Sequence, residues 1–203
     1  MKLYYSPGAC SLAAHIVADE GDLRLQLEKV DLKSHTTENG QDYYAVNPKG
    51  YVPAIQLDDG SMLAENVAVL NYLADKTAHK LYTPAPGSMA HYHLEEWLGF
   101  INSELHKSFA PLFGESSDQA KRQAKDKIRK RLAYVNGELK GKKFLMGERM
   151  TVVDAYLFVM LIWAKKMKLD LARYGNLAGF YARMSRRDAV KRAFKEEGLP
   201  LAA

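Results

Sequence analysis

A single cysteine, Cys10, stands among 203 residues, so the chain cannot close an internal disulfide. No apolar run approaches the length that a membrane-spanning helix needs, and the first apolar stretch ends at Ser6-Pro7-Gly8, well short of a secretion signal's hydrophobic segment. Both absences point to a reducing, cytoplasmic compartment and to no membrane partner. Internal repeats and low-complexity segments are also missing. The densest basic run, Lys121 to Arg131, contains no aromatic residue to stack on a base and carries Asp126 within a helical pattern. It reads as a solvated helix face, and the net charge of +5 does not point to a nucleic-acid partner. With 47% hydrophobic and 26% charged residues, what remains is a globular chain large enough for one big domain or two small ones.

The first third alternates strand and helix signals. Leu3-Tyr4-Tyr5 is a short apolar strand, Leu12 to Val17 a helical pattern ending near Gly21, and Leu23 to Leu32 an alternating extended run. Residues 33 to 47 are polar and turn-rich, with one short helix through Tyr43 and Tyr44. Asp58-Asp59-Gly60 separates two strands, Ala54 to Leu57 and Ser61 to Leu63, as a hairpin turn would. A helix follows from Glu65 to Lys76. Regular patterning then breaks at Tyr82-Thr83-Pro84-Ala85-Pro86-Gly87. We therefore expect an α/β domain over residues 1–80, a linker over 81–87 and an all-α domain over 88–203. In the latter, long helices run from Ser88 to Phe109, stopped by Pro111, and from Asp118 to Leu139. A third opens at Thr151, where Thr151 and Asp154 have capping-box spacing.

Cys10 falls where the first strand breaks and the first helix begins. Free N–H groups and the positive end of the helix dipole favour a thiolate there, although a lone cysteine can equally be an inert, buried hydrophobe. Pro53 enters a strand and cannot donate to its ladder. A cis Val52–Pro53 bond would turn the Val52 N–H and C=O toward a peptide-like ligand; a plain trans proline is the alternative. Glu65-Asn66 opens the next helix, either as a simple cap or as a site where helix amides hold a ligand carboxylate and Glu65 a ligand ammonium. At about 100° per residue, Gly99, Ser103, His106 and Ala110 share a small, polar face, which suits a cleft wall or a solvent-facing side. His91 and His93, two apart, diverge on a helix and have no completing ligands, so no metal is expected.

Taken together, Ser6-Pro7-Gly8-Ala9-Cys10-Ser11, Asn47 to Ala54, Glu65-Asn66, the linker, Glu104-Leu105-His106-Lys107 and the Thr151-to-Asp154 cap closely resemble a bacterial beta-class glutathione S-transferase across essentially the whole chain. The resemblance implies a thioredoxin-like N-terminal domain, an all-α C-terminal domain, a homodimer with its active cleft between the domains, and a cis Pro53. It makes glutathione the co-substrate. Cys10 then contacts the glutathione sulfur, Val52 and Pro53 form the backbone clamp on its cysteinyl part, and Glu65 with Asn66 hold its γ-glutamyl end. Ser103, Glu104 and His106 line the cleft, some of them serving the neighbouring subunit. His35 stands where the family often has lysine near the glycyl carboxylate, and Gly99 where a polar side chain is common.

The implied reaction is attack of the glutathione thiolate on a small hydrophobic electrophile, with His106 orienting or stabilising the sulfur anion and Tyr5 and Ser11 as further hydroxyl donors. Cys10 can form a mixed disulfide with glutathione, but Ala13 occupies the place of a second cysteine, which excludes a dithiol cycle. Two other readings stand beside it: a monothiol thiol-disulfide oxidoreductase, and a non-catalytic binding scaffold of the same fold.

Overall fold

Alternating burial sets the strands of the N-terminal sheet. Along β2 (Gln26–Asp31), Glu28 and Val30 are buried between more accessible neighbours, and the Glu28 carboxylate is held by Lys2 at 3.3 Å and the Asn39 amide at 2.6 Å. The structure, a computed structural model, describes residues 1–77 and 81–200; the expected boundary at residue 80 lies outside the described residues. β1 (Lys2–Tyr5) pairs in parallel with β2, Leu3 opposite Leu27, and antiparallel with β4 (Ala54–Gln56), Leu3 opposite Ile55. With β3 (Thr36–Thr37) and β5 (Met62–Ala64) the order is β3-β2-β1-β4-β5. Gly60, at φ 84°, makes the β4–β5 turn that the Asp58-Asp59-Gly60 signal predicts. The two-residue β3 lies in the stretch expected to be turn and helix; it is too short and polar to leave a periodic signal.

Helices α1 (Ser11–Glu20) and α2 (Asn66–Lys76) pack on one another. Gly21 meets Thr77 so closely that a Cβ there would fall 1.9 Å from Thr77 Cγ2, which makes glycine obligatory at the end of α1. The chain forms two compact units, Met1–Tyr82 together with the stretch from Ser185, and Thr83–Met184. The break falls inside the expected linker, but the C-terminus departs from the expected 88–203 span. Helix α8 (Asp188–Glu196) buries Ala189, Val190, Ala193 and Phe194 and packs against α1 in the first unit.

In the second unit the expected helix from 88 to 109 is not one α-helix. It runs as α3 (Met89–Phe100), a π turn at Ile101–Leu105, a 3-10 turn at His106–Phe109 and a short α4 (Ala110–Phe113). Pro111 does not stop it, because it sits in the first turn of α4, where a missing N–H costs nothing. Helices α5 (Asp118–Glu138), α6 (Val152–Lys166) and α7 (Gly175–Ser185) complete the order. The apolar α6 is buried along nearly its whole length. Its start is fixed by the buried Asp154 carboxylate, which accepts from the Thr151 N–H at 2.8 Å, the Thr151 hydroxyl at 3.0 Å and the Leu145 N–H at 2.9 Å.

Candidate active site

Cys10 caps α1 where the sequence places it, in the first turn, with its own carbonyl and that of Ala9 accepting from Ala13 and Leu12. The side chain is nearly buried, and its S–H donates to the Val52 carbonyl at 3.2 Å. Val52–Pro53 is the cis bond that the resemblance implies. The approach to it is held by the Tyr43 hydroxyl and the Asn47 amide, which donate to the Tyr51 carbonyl at 2.9 and 2.8 Å. Burial pushes the Tyr43 phenol up to about 12, so it donates at any ordinary pH.

Glu65 caps α2 at φ 74° and makes no side-chain capping bond; its carboxylate instead pairs with Lys49 Nζ at 2.7 Å on the surface. Asn66 beside it is 6% exposed, and among the described residues neither its side-chain oxygen nor its nitrogen has a hydrogen-bond partner. His35 sits at φ 52° with its ring 4.4 Å from that of Tyr44, and its buried Nδ1 is likewise unpartnered. Gly50, at φ 69°, makes room for this pair: a Cβ there would fall 2.6 Å from Tyr44 Cε1 and 3.1 Å from His35 Nδ1. The first unit thus brings Cys10 and Val52 into contact and sets two buried, unsatisfied polar groups, on Asn66 and His35, in the same unit.

The second unit holds Ser103, Glu104 and His106. The Ser103 hydroxyl donates to the Gly99 carbonyl at 2.8 Å, within its own helix. Glu104 accepts from Arg131 at 2.7 Å and lies 3.5 Å from Lys127, and the Arg131 hydrogen bond, then Lys127, hold its carboxyl below the usual range. His106 is turned inward. Its Nδ1 lies 2.6 Å from the Tyr156 hydroxyl and its ring meets Trp163 edge to face at 4.9 Å. Burial, then the neighbouring Lys107, pulls it down to about 4. Trp163 also meets Phe109 and the half-exposed Phe113 at 5.6 and 4.7 Å, a ring cluster beside the imidazole. Tyr5 and Ser11 are packed rather than presented: Tyr5 lies against His15, and Ser11 ties back to Ser6.

Sequence reasoning missed the ties from the C-terminus to the Cys10 loop. Buried Glu197 accepts from the Gly8 N–H at 2.8 Å and pairs with His15 Nδ1 at 3.1 Å, while His15 Nε2 meets Glu196 at 2.8 Å. Burial opposes a charge on His15, but the bonds to Glu197 and Glu196 outweigh it and raise its pKa. His15 and Asp19, four apart on α1, also form with Glu196 the one ligand-like cluster among the described residues, with atoms within 4.8 Å. Its groups are already engaged in the His15 ion pairs and in the contact of Asp19 with Arg192. A separation of 182 residues hides Glu197 from any local signal.

A thioredoxin-like unit with a first-turn cysteine against a cis-proline, followed by an all-helical unit, defines the class: a two-domain glutathione-transferase fold. Residues 8–76 match the family model "Glutathione S-transferase, N-terminal domain" and residues 88–188 its C-terminal counterpart. The chain is 45% identical over 200 residues to glutathione S-transferase GstA of Escherichia coli O157:H7, covering 98% of this chain and all of that one. A sphingomonad glutathione S-transferase solved with glutathione is 43% identical at a TM-score of 0.94, and the bacterial beta-class enzyme of Sphingomonas chungbukensis 42% at 0.95; each comparison covers 98% of this chain and 100% of the other. The chain belongs to the glutathione S-transferase family and is a glutathione transferase enzyme.

Proposed function

We propose that the first unit binds glutathione and that the enzyme joins the glutathione sulfur, with the tripeptide attached, to an electrophilic carbon of a small hydrophobic acceptor. Asn66 carries this reading. A buried amide left unpaired costs on the order of 1–3 kcal/mol, and a native fold retains such a group where something else completes it. It stands at the N-terminus of α2, whose first amides have no intrahelical partner, beside the Glu65 carboxylate. A zwitterionic γ-glutamyl end answers both: its carboxylate accepts from the amides and Asn66 Nδ2, and its ammonium donates to Glu65 and Asn66 Oδ1. Glu65 can leave Lys49 at little cost, since both partners are exposed.

The Val52 carbonyl takes the cysteinyl N–H of the tripeptide, displacing the Cys10 S–H that now occupies it. His35 meets the glycyl carboxylate, and Ser103, Glu104 and His106 line the cleft, some of them serving the neighbouring subunit of a homodimer, with His106 at the ligand's sulfur. Phe109, Phe113 and Trp163 offer the acceptor an aromatic surface. With an aryl halide the thiol gives up its proton, a sulfur–carbon bond forms and halide leaves with the bonding pair. We place its action in the cytoplasm; among the described residues no helix is long and apolar enough to cross a membrane.

The first-turn position of Cys10 favours a second, monothiol activity. The Cys10 thiolate attacks the glutathione sulfur of a mixed disulfide between glutathione and another thiol, forming a Cys10–glutathione disulfide and releasing that thiol; a free glutathione thiolate then regenerates Cys10 and releases glutathione disulfide. Calorimetric titration with glutathione and assays with an aryl halide and a disulfide test both readings in the wild type and in Cys10→Ala. Conjugation surviving in Cys10→Ala while disulfide exchange is lost supports the transferase with Cys10 as a redox accessory. A wild type that binds no glutathione leaves only a scaffold of the same fold.

A further inference from the structure

The Tyr156 hydroxyl, fully buried on α6, donates to Asn102 Oδ1 at 3.0 Å, and His106 Nδ1 lies 2.6 Å from the same oxygen. A phenol has one proton. Having given it to Asn102, Tyr156 meets His106 as an acceptor, so Nδ1 carries the proton of the neutral imidazole and Nε2 a lone pair. Asn102 belongs to the π turn and His106 follows it directly, so the widened turn brings both to one hydroxyl. Among the described residues no hydrogen bond reaches His106 Nε2, and Trp163 and Tyr156 fix the ring edge to face at 4.9 and 5.8 Å.

We infer that Tyr156 and Asn102 are positioning residues that hold His106 as the Nδ1–H tautomer, so that Nε2 is the acceptor of the glutathione thiol proton. The inference rests on the glutathione reading above. In the step it describes, the S–H bond breaks with its electron pair left on sulfur, the proton goes to Nε2, and the imidazolium Nδ1–H strengthens its bond to Tyr156. The sulfur then attacks the acceptor carbon, and Nε2 later returns its proton to water. The order thiol, imidazole, hydroxyl, amide follows the general pattern in which a base beside a sulfur nucleophile is oriented by a third group. With the proton on Nε2 instead, His106 could donate to a thiolate but could not take the proton. Burial keeps the free imidazole neutral and Nε2 bare, and the same burial opposes the imidazolium, which a thiolate beside the ring favours.

Site-resolved 15N NMR of the His106 ring near neutral pH tests this in the intact chain. The wild type is expected to show Nδ1 protonated and Nε2 bare. Tyr156→Phe removes the acceptor, and Asn102→Ala frees the phenol proton to turn toward Nδ1; both variants are expected to move the proton to Nε2. In the conjugation assay kcat falls roughly tenfold or more in each, with KM for glutathione changed less than about twofold. A wild type already protonated on Nε2, or variants that both keep Nδ1–H, overturns the inference. So does a full tautomer change with unchanged kcat. If the tautomers move as expected but the wild type neither binds nor conjugates glutathione, the proton-acceptor role falls with the proposed function, and the ring's positioning by Tyr156 stands.

Discussion

Asn66 is buried and His106 half-buried against the usual preference of their side chains, and each yields a measurable consequence. Replacing Asn66 by Leu removes an amide that the unit leaves unsatisfied. We predict a thermal unfolding stability raised by about 1 kcal/mol and a glutathione affinity lowered at least about tenfold, read by melting and by calorimetry. Opposite movement of the two quantities separates a ligand-binding group from a packing group. For His106, the folded pKa of about 4 lies below the ordinary value of about 6.5, so the fold favours the neutral ring. That contribution is present above about pH 6.5 and is lost as the pH falls toward 4. Urea midpoints measured across this window should fall more steeply in the wild type than in His106→Gln. Residues whose role is local were legible in the sequence: the first-turn position of Cys10 and the strand entry at Pro53 follow from their neighbours. Whether Cys10 was buried, and that its S–H met Val52, was not legible, because that contact spans 42 residues.

At the scale of elements, the hairpin, α1, α2 and the α6 cap follow from turn residues and periodicity. The segment after Phe100 does not, because a fixed rotation of 100° per residue fails where the chain widens into a π turn. Gly99, Ser103 and Ala110 are exposed as the helical face suggests, while His106 turns into the packing of Tyr156 and Trp163. The α1–α8 contact is a second element-scale feature, with His15 between Glu196 and Glu197 and with Asp19 and Arg192 beside it. His15→Gln leaves Glu197 buried without its cationic partner and should cost about 3 kcal/mol, measured by urea unfolding near pH 6. Because the folded pKa of His15 is raised, its contribution is full below about 6.5 and is lost as the pH rises through the folded value. The wild-type advantage over the variant should therefore shrink on the alkaline side.

Across the whole molecule, the chain order of strands and helices announced an α/β unit followed by a helical one, and the Pro84-Ala85-Pro86-Gly87 break marked the passage between them. The return of α8 to the first unit carried no such mark, since an amphipathic helix near a C-terminus reads the same whichever unit it covers. The first unit is consequently incomplete without it. A chain ending at Met184 removes the apolar face of α8 and the Glu197 bond to Gly8, and should melt well below the full chain in circular dichroism; equal melting temperatures would show that α8 is dispensable. Binding of glutathione by the intact chain is the claim on which the rest depends. Its most direct test is calorimetric titration of the wild type and of Asn66→Ala with glutathione. Saturable binding of one glutathione per chain, weakened at least about tenfold by the substitution, is the predicted result; no binding by the wild type, or equal binding by both, would contradict the account.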